Sequence, residues 1–283
     1  MSFVLEMWSK LPNIKGKLWG GNKLYNIVKD NRPVVKQVKN FNMKLNLEDR
    51  IQRRIFFKNG HEPETEKIFE SFFKEANCFV DIGGNVGYFS LLAASVNKNI
   101  KVVAFEPLPQ NIDQFKENIL LNTGFENQIT IEEKCLSDKQ GEVTFYIPPE
   151  GECGWGRMGE AQEENNGEEH SEWPKISRQA LSLDDYLKLN ADLRPDVFKI
   201  DVEGNEVKVL MGAREYLRKN KVKAFCIELN EGALKEQGTS GNKIIKLMED
   251  IGYCAHYIDG SSLSPTKETL DNYKHMNYFF LPA

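Results

Sequence analysis

The chain of 283 residues, with a mass of 32.5 kDa, is long enough for one large α/β domain with additions. Its hydrophobic content of 40% and charged content of 28% are typical of a globular protein in water. No apolar run approaches the roughly 20 residues of a membrane span, which argues against an integral membrane protein.

The net charge of −5 conceals a basic segment near the N-terminus. Between Lys10 and Lys58 there are thirteen Lys or Arg residues and three acidic residues, a local charge of +10, so the rest of the chain carries −15. Such a segment, interleaved with Trp19, Tyr25 and Phe41, is compatible with an anionic substrate or partner. Because the lysines are spread along the segment, a solvated face, or neutralisation by an acidic loop further on, is the simpler interpretation.

Cysteine usage and the N-terminal residues predict a cytoplasmic protein. The cysteines lie apart, without C-x-x-C spacing and mostly in predicted strands, which is typical of free core thiols in a reducing compartment. They are Cys78, Cys135, Cys153, Cys226 and Cys254, of which Cys153 alone lies in a polar segment. Glu6 interrupts the short apolar stretch at the N-terminus, and no small-residue cleavage site follows it, so we expect no secretory signal.

Residues 1–76 are predicted to form an N-terminal cap that leads into the main domain rather than a separate domain. A helix is expected around residues 23–30, ended by Pro33. Alternating apolar and polar residues over 41–47 predict a half-buried strand. Another helix is expected to begin at Pro63. Its apolar stripe consists of Ile68, Phe69, Phe72 and Phe73.

From residue 77 to residue 283, apolar strands alternate with amphipathic helices, a pattern typical of an α/β fold whose parallel sheet is covered on both faces. Buried parallel strands are predicted near 78–82, 101–105, 129–133, 196–201 and 222–228. Helices are predicted near 86–96, 109–122, 205–219 and 240–251. Two further strands, Tyr253–Ile258 and Asn277–Leu281, are predicted at the end of the chain, separated by a loop.

The pattern breaks between residues 150 and 173, where Gly, Asn and Glu dominate. Arg157 is the only Lys or Arg there among eight glutamates, so a solvated, disordered loop is one interpretation. Its place after the fourth strand would also let it fold over the ligand-binding end of the sheet, with Trp155 and Trp173 anchoring it as a lid. The sequence leaves both interpretations open.

The most informative segment is Cys78–Ser90, in which an apolar strand runs through Asp81 into a glycine turn and a helix. The next strand, near 101–105, is followed by a second carboxylate, Glu106. A strand, glycine turn and helix bring backbone N–H groups to a ligand, and a carboxylate at the tip of the neighbouring strand can accept both hydroxyls of a ribose. These features predict a nucleoside-cofactor site, although a tight turn without a ligand would use the same glycines.

The glycine spacing indicates which nucleoside is bound. No placement on Gly83, Gly84 and Gly87 satisfies the G-x-G-x-x-G spacing of dinucleotide sites. Asp81, just ahead of the turn, would repel a pyrophosphate but suits the ammonium of an amino-acid moiety. The pattern therefore resembles the first motif of class I S-adenosylmethionine-dependent methyltransferases.

From about residue 41 to residue 228 the chain resembles the FkbM family of methyltransferases. The matching stretches are GHEPET from Gly60, DIGGNVGY from Asp81, AFEP from Ala104, LSDKQG from Leu136, LDD from Leu183, KIDVEG from Lys199 and IEL from Ile227. The resemblance implies a Rossmann-like fold with a mostly parallel seven-stranded sheet, whose terminal hairpin adds one antiparallel strand, and S-adenosylmethionine as the cofactor. The family commonly has an aromatic residue where this chain has His61, a departure that could change substrate preference.

The resemblance also implies a set of cofactor-binding residues. They are Asp81, Gly83, Asn85, Gly87, Tyr88, Glu106, Pro107, Leu108, Ser137 and Asp138. Asp81 and the glycine turn would hold the methionine end, Glu106 the ribose hydroxyls, and the two residues after it the adenine. Ser137 and Asp138 would meet the adenine edge, or else only cap a turn.

Two further carboxylates, Asp201 and Glu203, are predicted at the C-terminal end of another central strand, where open α/β sheets bind ligands. Strand alternation puts both on the same side if the strand continues. Asp201 is predicted to be the catalytic base that removes a hydroxyl proton, or to orient the acceptor. Glu203 is the second catalytic candidate, with capping of the following helix as its alternative role.

We expect no metal ion. The four histidines, His61, His170, His256 and His275, are dispersed and make no zinc pattern. If an ion were bound, Asp201, Glu228 and Asn230 stand at points comparable to those where catechol-type methyltransferases hold one. Their oxygen ligands would suit magnesium or manganese.

The predicted activity is S-adenosylmethionine-dependent methylation of a hydroxyl oxygen, and the resemblance implies a sugar, glycan or other natural product as the acceptor. Methylation of a carboxylate or nitrogen on a peptide is a second interpretation. From another class, a nucleotide-binding oxidoreductase conflicts with the glycine spacing, and a silent binding module conflicts with the retained acids Asp81, Glu106 and Asp201. We expect no nucleic-acid partner, and the sequence leaves open whether the chain forms a homo-oligomer.

Overall fold

The computed structural model describes residues 3–29, 32–147, 157–159, 174–266 and 277–283. Its helices are α1 Phe3–Lys10, α2 Lys17–Val28, α3 Arg50–Lys58, α4 Pro63–Phe73, α5 Tyr88–Val96, α6 Pro109–Leu120, α7 Leu183–Leu189, α8 Glu206–Gly212, α9 Arg214–Lys219, α10 Glu231–Glu236 and α11 Gly241–Glu249. Its strands are β1 Val34–Val38, β2 Phe41–Leu45, β3 Cys78–Ile82, β4 Lys101–Phe105, β5 Ile129–Glu132, β6 Cys135–Leu136, β7 Gly141–Tyr146, β8 Arg157–Gly159, β9 Lys175–Leu181, β10 Val197–Ile200, β11 Ala224–Glu228, β12 Tyr253–Asp259, β13 Ser262–Pro265 and β14 Asn277–Pro282.

The central sheet has eight strands in the order β13-β12-β14-β11-β10-β3-β4-β5. Strand β14 is antiparallel to both of its neighbours, and β13 is antiparallel to β12 at the edge. The remaining strands run parallel, so the predicted class I arrangement is confirmed. The predicted number of seven strands is one too few, because the chain after β12 turns back and pairs as the short edge strand β13.

Side-chain alternation divides the sheet into two buried faces. Phe79, Val102 and Val197 belong to the core on the face covered by α5 and the N-terminal cap, and Val80, Val103 and Phe198 belong to the core on the opposite face. In the parallel register between β3 and β10, Asp81 lies directly opposite Lys199. Both have the parity of the first face, so two charged side chains stand at the carboxyl end of an otherwise apolar layer.

The N-terminal cap packs into the same core as the main domain. Strands β1 and β2 form an antiparallel hairpin, and buried Leu5, Phe41 and Phe57 share one hydrophobic cluster with Phe69 and Leu91. The structure confirms the predicted strand at β2 and the helix that begins at Pro63. Helices α1 and α3 and strand β1 were not predicted, and α2 begins well before its predicted start.

A second sheet, with the strand order β6-β9-β7-β8, was not predicted. Strands β7 and β9 pair antiparallel along their length, and β6 pairs parallel with the end of β9. Of the predicted lid over residues 150–173, the structure describes 157–159 as strand β8, paired with β7. The rest of that segment lies outside the described residues, so the lid stays a prediction.

The predicted helix over 205–219 is interrupted at Ala213, whose φ of −105° and ψ of 0° leave the helical range, giving α8 and α9.

Cys78, Cys135 and Cys226 are buried free thiols, as predicted. Cys254 is exposed, because it alternates along β12 with buried neighbours. Cys153 itself lies outside the described residues.

Among the helices of the described part of the chain, none has the length and apolar character needed to cross a bilayer.

Candidate active site

A cavity of about 550 Å³ lies where β3, β4, β10 and β11 end. Most of the predicted site residues line it, namely Asp81, Gly83, Asn85, Tyr88, Glu106, Pro107, Leu108, Asp201, Glu203, Glu228 and Asn230. The cap supplies another wall, formed by Leu18, Asn22, Arg50, Ile51, Arg53, Arg54 and Ile55. Because the carboxyl ends of parallel strands meet at one edge, motifs far apart in the sequence converge on this cavity.

The turn after β3 approaches β10 so closely that only glycine fits at position 83. Gly83 has a φ of +85°, and a Cβ there would lie 1.9 Å from the carbonyl oxygen of Asp201. Gly87 has a φ of +91°, and its Cβ would lie 2.2 Å from the ring of Phe115. Gly87 is not part of the cavity wall. Both glycines therefore have a packing reason, and the turn they form presents Gly83 and Asn85 to the cavity.

Asp81 is buried at the end of β3. Its Oδ2 accepts a hydrogen bond from Ser90 Oγ at 2.7 Å. Burial raises the pKa of Asp81, while the charge of Lys199 and the bond from Ser90 act against that rise. A cationic group bound beside Asp81 would stabilise its ionised form further. Ser90 was not predicted, although its place in the first turn of the helix after the glycines was a usable signal.

Glu106 is held at the cavity wall by three hydrogen bonds. The backbone N–H of Asn85 donates to Oε2 at 2.8 Å, and the N–H of Leu108 and Nδ2 of Asn111 donate to Oε1 at 3.0 and 3.2 Å. Burial raises the pKa of Glu106 to about 7, against the opposing effect of these donors. The glycine turn and Glu106 are thus one connected unit, which sequence reasoning had treated as two motifs.

Only some of the residues predicted to contact the adenine line the cavity. Pro107 and Leu108 line the cavity, and the carbonyl oxygen of Pro107 accepts a hydrogen bond from Arg178 Nε at 2.6 Å. Ser137 and Asp138 do not line it, and Ser137 Oγ donates to Asp138 Oδ1 at 3.1 Å. The residues just before them, 134–136, take that place, because β6 leaves the central sheet to pair with β9.

Asp201 forms an ion pair and a carboxyl pair at the same time. Lys199 Nζ lies 2.6 Å from Asp201 Oδ2, and the Asp201 and Glu228 side chains are hydrogen-bonded. Burial would raise the pKa of Asp201, but Lys199 and the hydrogen bonds lower it to about 2. The charge on Asp201, together with burial, raises the pKa of Glu228. At neutral pH, therefore, Asp201 is ionised and Glu228 carries the proton of the pair.

Glu203 follows in the turn after β10, with a φ of +50°, and lines the cavity. The carboxylate that satisfies this turn is Glu206, whose Oε1 accepts the backbone N–H groups of Val202 and Gly204, both at 3.1 Å. Asn205 is the N-cap residue of α8. The side chain of Asn205 makes no capping hydrogen bond, so the capping role predicted for Glu203 stays a prediction, as does its contact with a ligand.

Three carboxylates could hold a divalent cation. Ligand oxygens of Asp201, Glu203 and Glu228 lie within 4.8 Å of one another. Asn230, named in the sequence-based set, lines the cavity but caps α10, because its Oδ1 accepts the N–H of Ala233 at 3.3 Å. Oxygen ligands of this kind would suit magnesium or manganese. Lys199 already supplies a positive charge at Asp201, so the cluster also has electrostatic compensation from the chain itself.

Tyr88 and His61 join the site to the cap. The Tyr88 hydroxyl donates a hydrogen bond to the carboxylate of Glu66. Glu66 also accepts a hydrogen bond from the backbone N–H of His61 at 2.6 Å and forms an ion pair with Lys39 at 2.5 Å. The rings of His61 and Tyr88 meet edge to face at 5.6 Å. Burial lowers the pKa of His61, although the carboxylate of Glu62 acts against that change. Tyr88, which lines the cavity, is thus fixed by the hydrogen bond of its hydroxyl.

The strand order and the turn linked to Glu106 are those of the class I methyltransferase fold. The sequence matches the methyltransferase FkbM domain over residues 81–254, which include the turn, Glu106 and the Asp201–Glu228 pair. The match covers more than half of the chain, and the protein belongs to the FkbM methyltransferase family. The predicted family is thereby confirmed, and the alternative of a nucleotide-binding oxidoreductase is set aside.

A curated relative is the hexuronic acid methyltransferase AglP of Haloferax volcanii, 24% identical over 159 residues, which are 56% of this chain and 58% of that protein. The chain thus matches little more than half the length of that relative. Among solved structures, the methyltransferase FkbM from Methylobacillus flagellatus is 17% identical, with 82% of this chain and 52% of that chain covered and a TM-score of 0.44. The O-methyltransferase TomG from Streptomyces achromogenes is 9% identical, with 95% and 99% covered and a TM-score of 0.46. The fold assignment rests on the strand order of the sheet.

Proposed function

We propose that the protein transfers the methyl group of S-adenosylmethionine to a hydroxyl oxygen of a sugar, a glycan or a related natural product. The observation that carries this proposal is that the Asp81–Glu106 cradle and the Asp201–Glu228 pair line one cavity. The hexuronic acid methyltransferase among its relatives supports a sugar as the acceptor.

The residues present fit the cofactor. Asp81 suits the ammonium of a methionine moiety, and Glu106, whose carboxylate already accepts three hydrogen bonds, has one lone pair of Oε2 left for a ribose hydroxyl. When bound, S-adenosylmethionine supplies a methyl group on a positively charged sulfur. Because methyl transfer is an in-line displacement, the protein has to align the acceptor, exclude water and take up one proton.

Asp201 is the proposed proton acceptor. Lys199 keeps its carboxylate ionised and the neighbouring Glu228 is protonated, so Asp201 is the anionic member of this pair at neutral pH. An oxygen that gains a methyl group becomes strongly acidic, so even a weak carboxylate base can take its proton as the new bond forms. The O–H electrons stay on the acceptor oxygen, the C–S electrons leave with the sulfur, and the proton goes to Asp201. We propose that Glu203, in the same wall, contacts the acceptor.

Methylation of a carboxylate or nitrogen on a peptide would use the same cradle with less need for a general base. The test is incubation with methyl-labelled S-adenosylmethionine and a panel of sugars and peptides, followed by mild alkali, which cleaves methyl esters and leaves methyl ethers intact. We expect alkali-stable label on sugars. Alkali-labile label would support the carboxylate alternative, and label on peptide nitrogen would support N-methylation. Binding of S-adenosylhomocysteine without turnover on any acceptor would indicate the silent binding module.

A further inference from the structure

The cap wall of the cavity carries three arginines from one helix, and they do not share one role. The side chain of Arg53 is held by contacts within the cap. Its Nε donates to Asn22 Oδ1 at 2.9 Å, its Nη1 donates to the carbonyl oxygen of Leu47 at 2.6 Å, and its guanidinium lies 4.7 Å from the centre of the Tyr25 ring. These contacts tie α3 to α2 and to the end of the β1–β2 hairpin.

All three arginines line the cavity, but Arg50 and Arg54 differ from Arg53 in exposure and in their contacts. Both side chains line the cavity and are exposed. Across residues 3–29, 32–147, 174–266 and 277–283, neither has a hydrogen bond or an ion pair to a protein group. They are four positions apart on α3, a spacing that brings side chains onto one helix face, where like charges repel each other. Two guanidinium groups without a hydrogen-bond or ion-pair partner in that part of the chain therefore line the same cavity.

The position of this pair relates it to the proposed chemistry. The charge of Arg54 acts on His61, alongside the larger effect of burial, and His61 in turn interacts with Asp201. Arg54, His61 and Asp201 all line the cavity. An acceptor bound in this cavity can therefore contact both Asp201 and the cap wall.

We infer that Arg50 and Arg54 bind a carboxylate on the acceptor, so that the substrate is an acidic sugar whose hydroxyl is presented to Asp201. A guanidinium group is planar and can donate two parallel hydrogen bonds to the two oxygens of a carboxylate. Such charge-assisted hydrogen bonds are stronger than hydrogen bonds between neutral groups. This inference rests on the proposed methyl transfer and narrows its acceptor class.

The test compares matched pairs of methyl hexuronides and methyl hexosides as acceptors, using the intact chain with Arg50→Gln, Arg54→Gln and both together. Lys15→Gln is the control, because it removes an exposed positive charge of the same basic segment away from the cavity wall. We expect the parent to favour the hexuronide by about tenfold or more in kcat/KM, and the double variant to lose that preference. Lys15→Gln should keep the preference, and affinity for S-adenosylhomocysteine should stay within about twofold in every variant.

Equal use of both sugars by the parent, or a variant that weakens both alike, overturns the inference while leaving methyl transfer intact. If no sugar is methylated although S-adenosylhomocysteine binds, the acceptor part of the proposed function has failed. Calorimetry with the hexuronide and the S-adenosylhomocysteine-loaded protein then decides the arginine site on its own. Binding to the parent that is lost in the double variant upholds it, and no difference between the two overturns it.

Discussion

The ammonium of Lys199 lies 2.6 Å from Oδ2 of Asp201, and both groups belong to the cavity wall. Lys199 also stands directly opposite Asp81 in the register between β10 and β3. Burial would lower the pKa of this lysine, but the carboxylates of Asp201 and Asp81 raise it. One buried cation thus interacts with two of the carboxylates in the cavity wall, Asp201 and Asp81.

Replacing Lys199 by Met should shift the acid limb of the pH–turnover profile to higher pH. Lys199 lowers the pKa of Asp201 to about 2, so the carboxylate is ionised throughout the neutral range and is lost only as the pH falls toward that value. Without the lysine, burial dominates and the pKa rises. Turnover measured from about pH 5 to pH 9 checks this, with exposed Lys98→Met as the control. An unchanged acid limb would show that Lys199 does not set the charge of Asp201.

Asp201→Asn should reduce turnover by roughly 10²–10⁴-fold, because the amide keeps the shape of the side chain but cannot take up a proton. Affinity for S-adenosylhomocysteine should stay nearly unchanged, since the cofactor is assigned to Asp81 and Glu106. Glu203→Gln should cost less, because the turn around it is held by Glu206. If Asp201→Asn retains turnover within a few fold of the parent, the base is another group.

Glu106→Gln should weaken S-adenosylhomocysteine binding by about tenfold or more, since a charged acceptor of ribose hydroxyls is lost. In the parent, the pKa of about 7 means that Glu106 becomes protonated as the pH falls through neutrality. Cofactor affinity should therefore rise between about pH 6 and pH 8 in the parent and stay flat in the variant. Calorimetric titrations at both pH values measure this, and parallel pH dependence in the two proteins would contradict the assignment.

Gly83→Ala should destabilise the protein far more than Gly124→Ala. Both glycines have a positive φ, +85° and +91°, so both substitutions carry a backbone cost of roughly 1–2 kcal/mol. At Gly124 a Cβ meets nothing within 4 Å, whereas at Gly83 it would lie 1.9 Å from the backbone oxygen of Asp201. We expect an additional loss of about 1–3 kcal/mol in the free energy of unfolding, measured in urea. Equal losses would mean that the turn is not pressed against β10.

The strands and motifs of the main domain could be predicted because buried parallel strands leave continuous apolar runs, and carboxylates at their ends interrupt those runs abruptly. The cap wall could not be predicted from the sequence, because α3 carries charged residues on its cavity face and packs against the core through only part of its surface. Ser137 and Asp138 were placed at the cavity by analogy, but the pairing of β6 with β9 depends on residues far along the chain. Such long-range pairing leaves no local signal.

The central measurement is a calorimetric titration of the purified protein with S-adenosylhomocysteine, NAD and NADP. Under the proposed function, the carboxylate of Asp81 would repel a pyrophosphate, and Glu106 would accept a hydrogen bond from a ribose hydroxyl. We expect one molecule of S-adenosylhomocysteine to bind per chain, and neither dinucleotide to bind. Binding of NAD or NADP in place of S-adenosylhomocysteine would contradict the methyltransferase function.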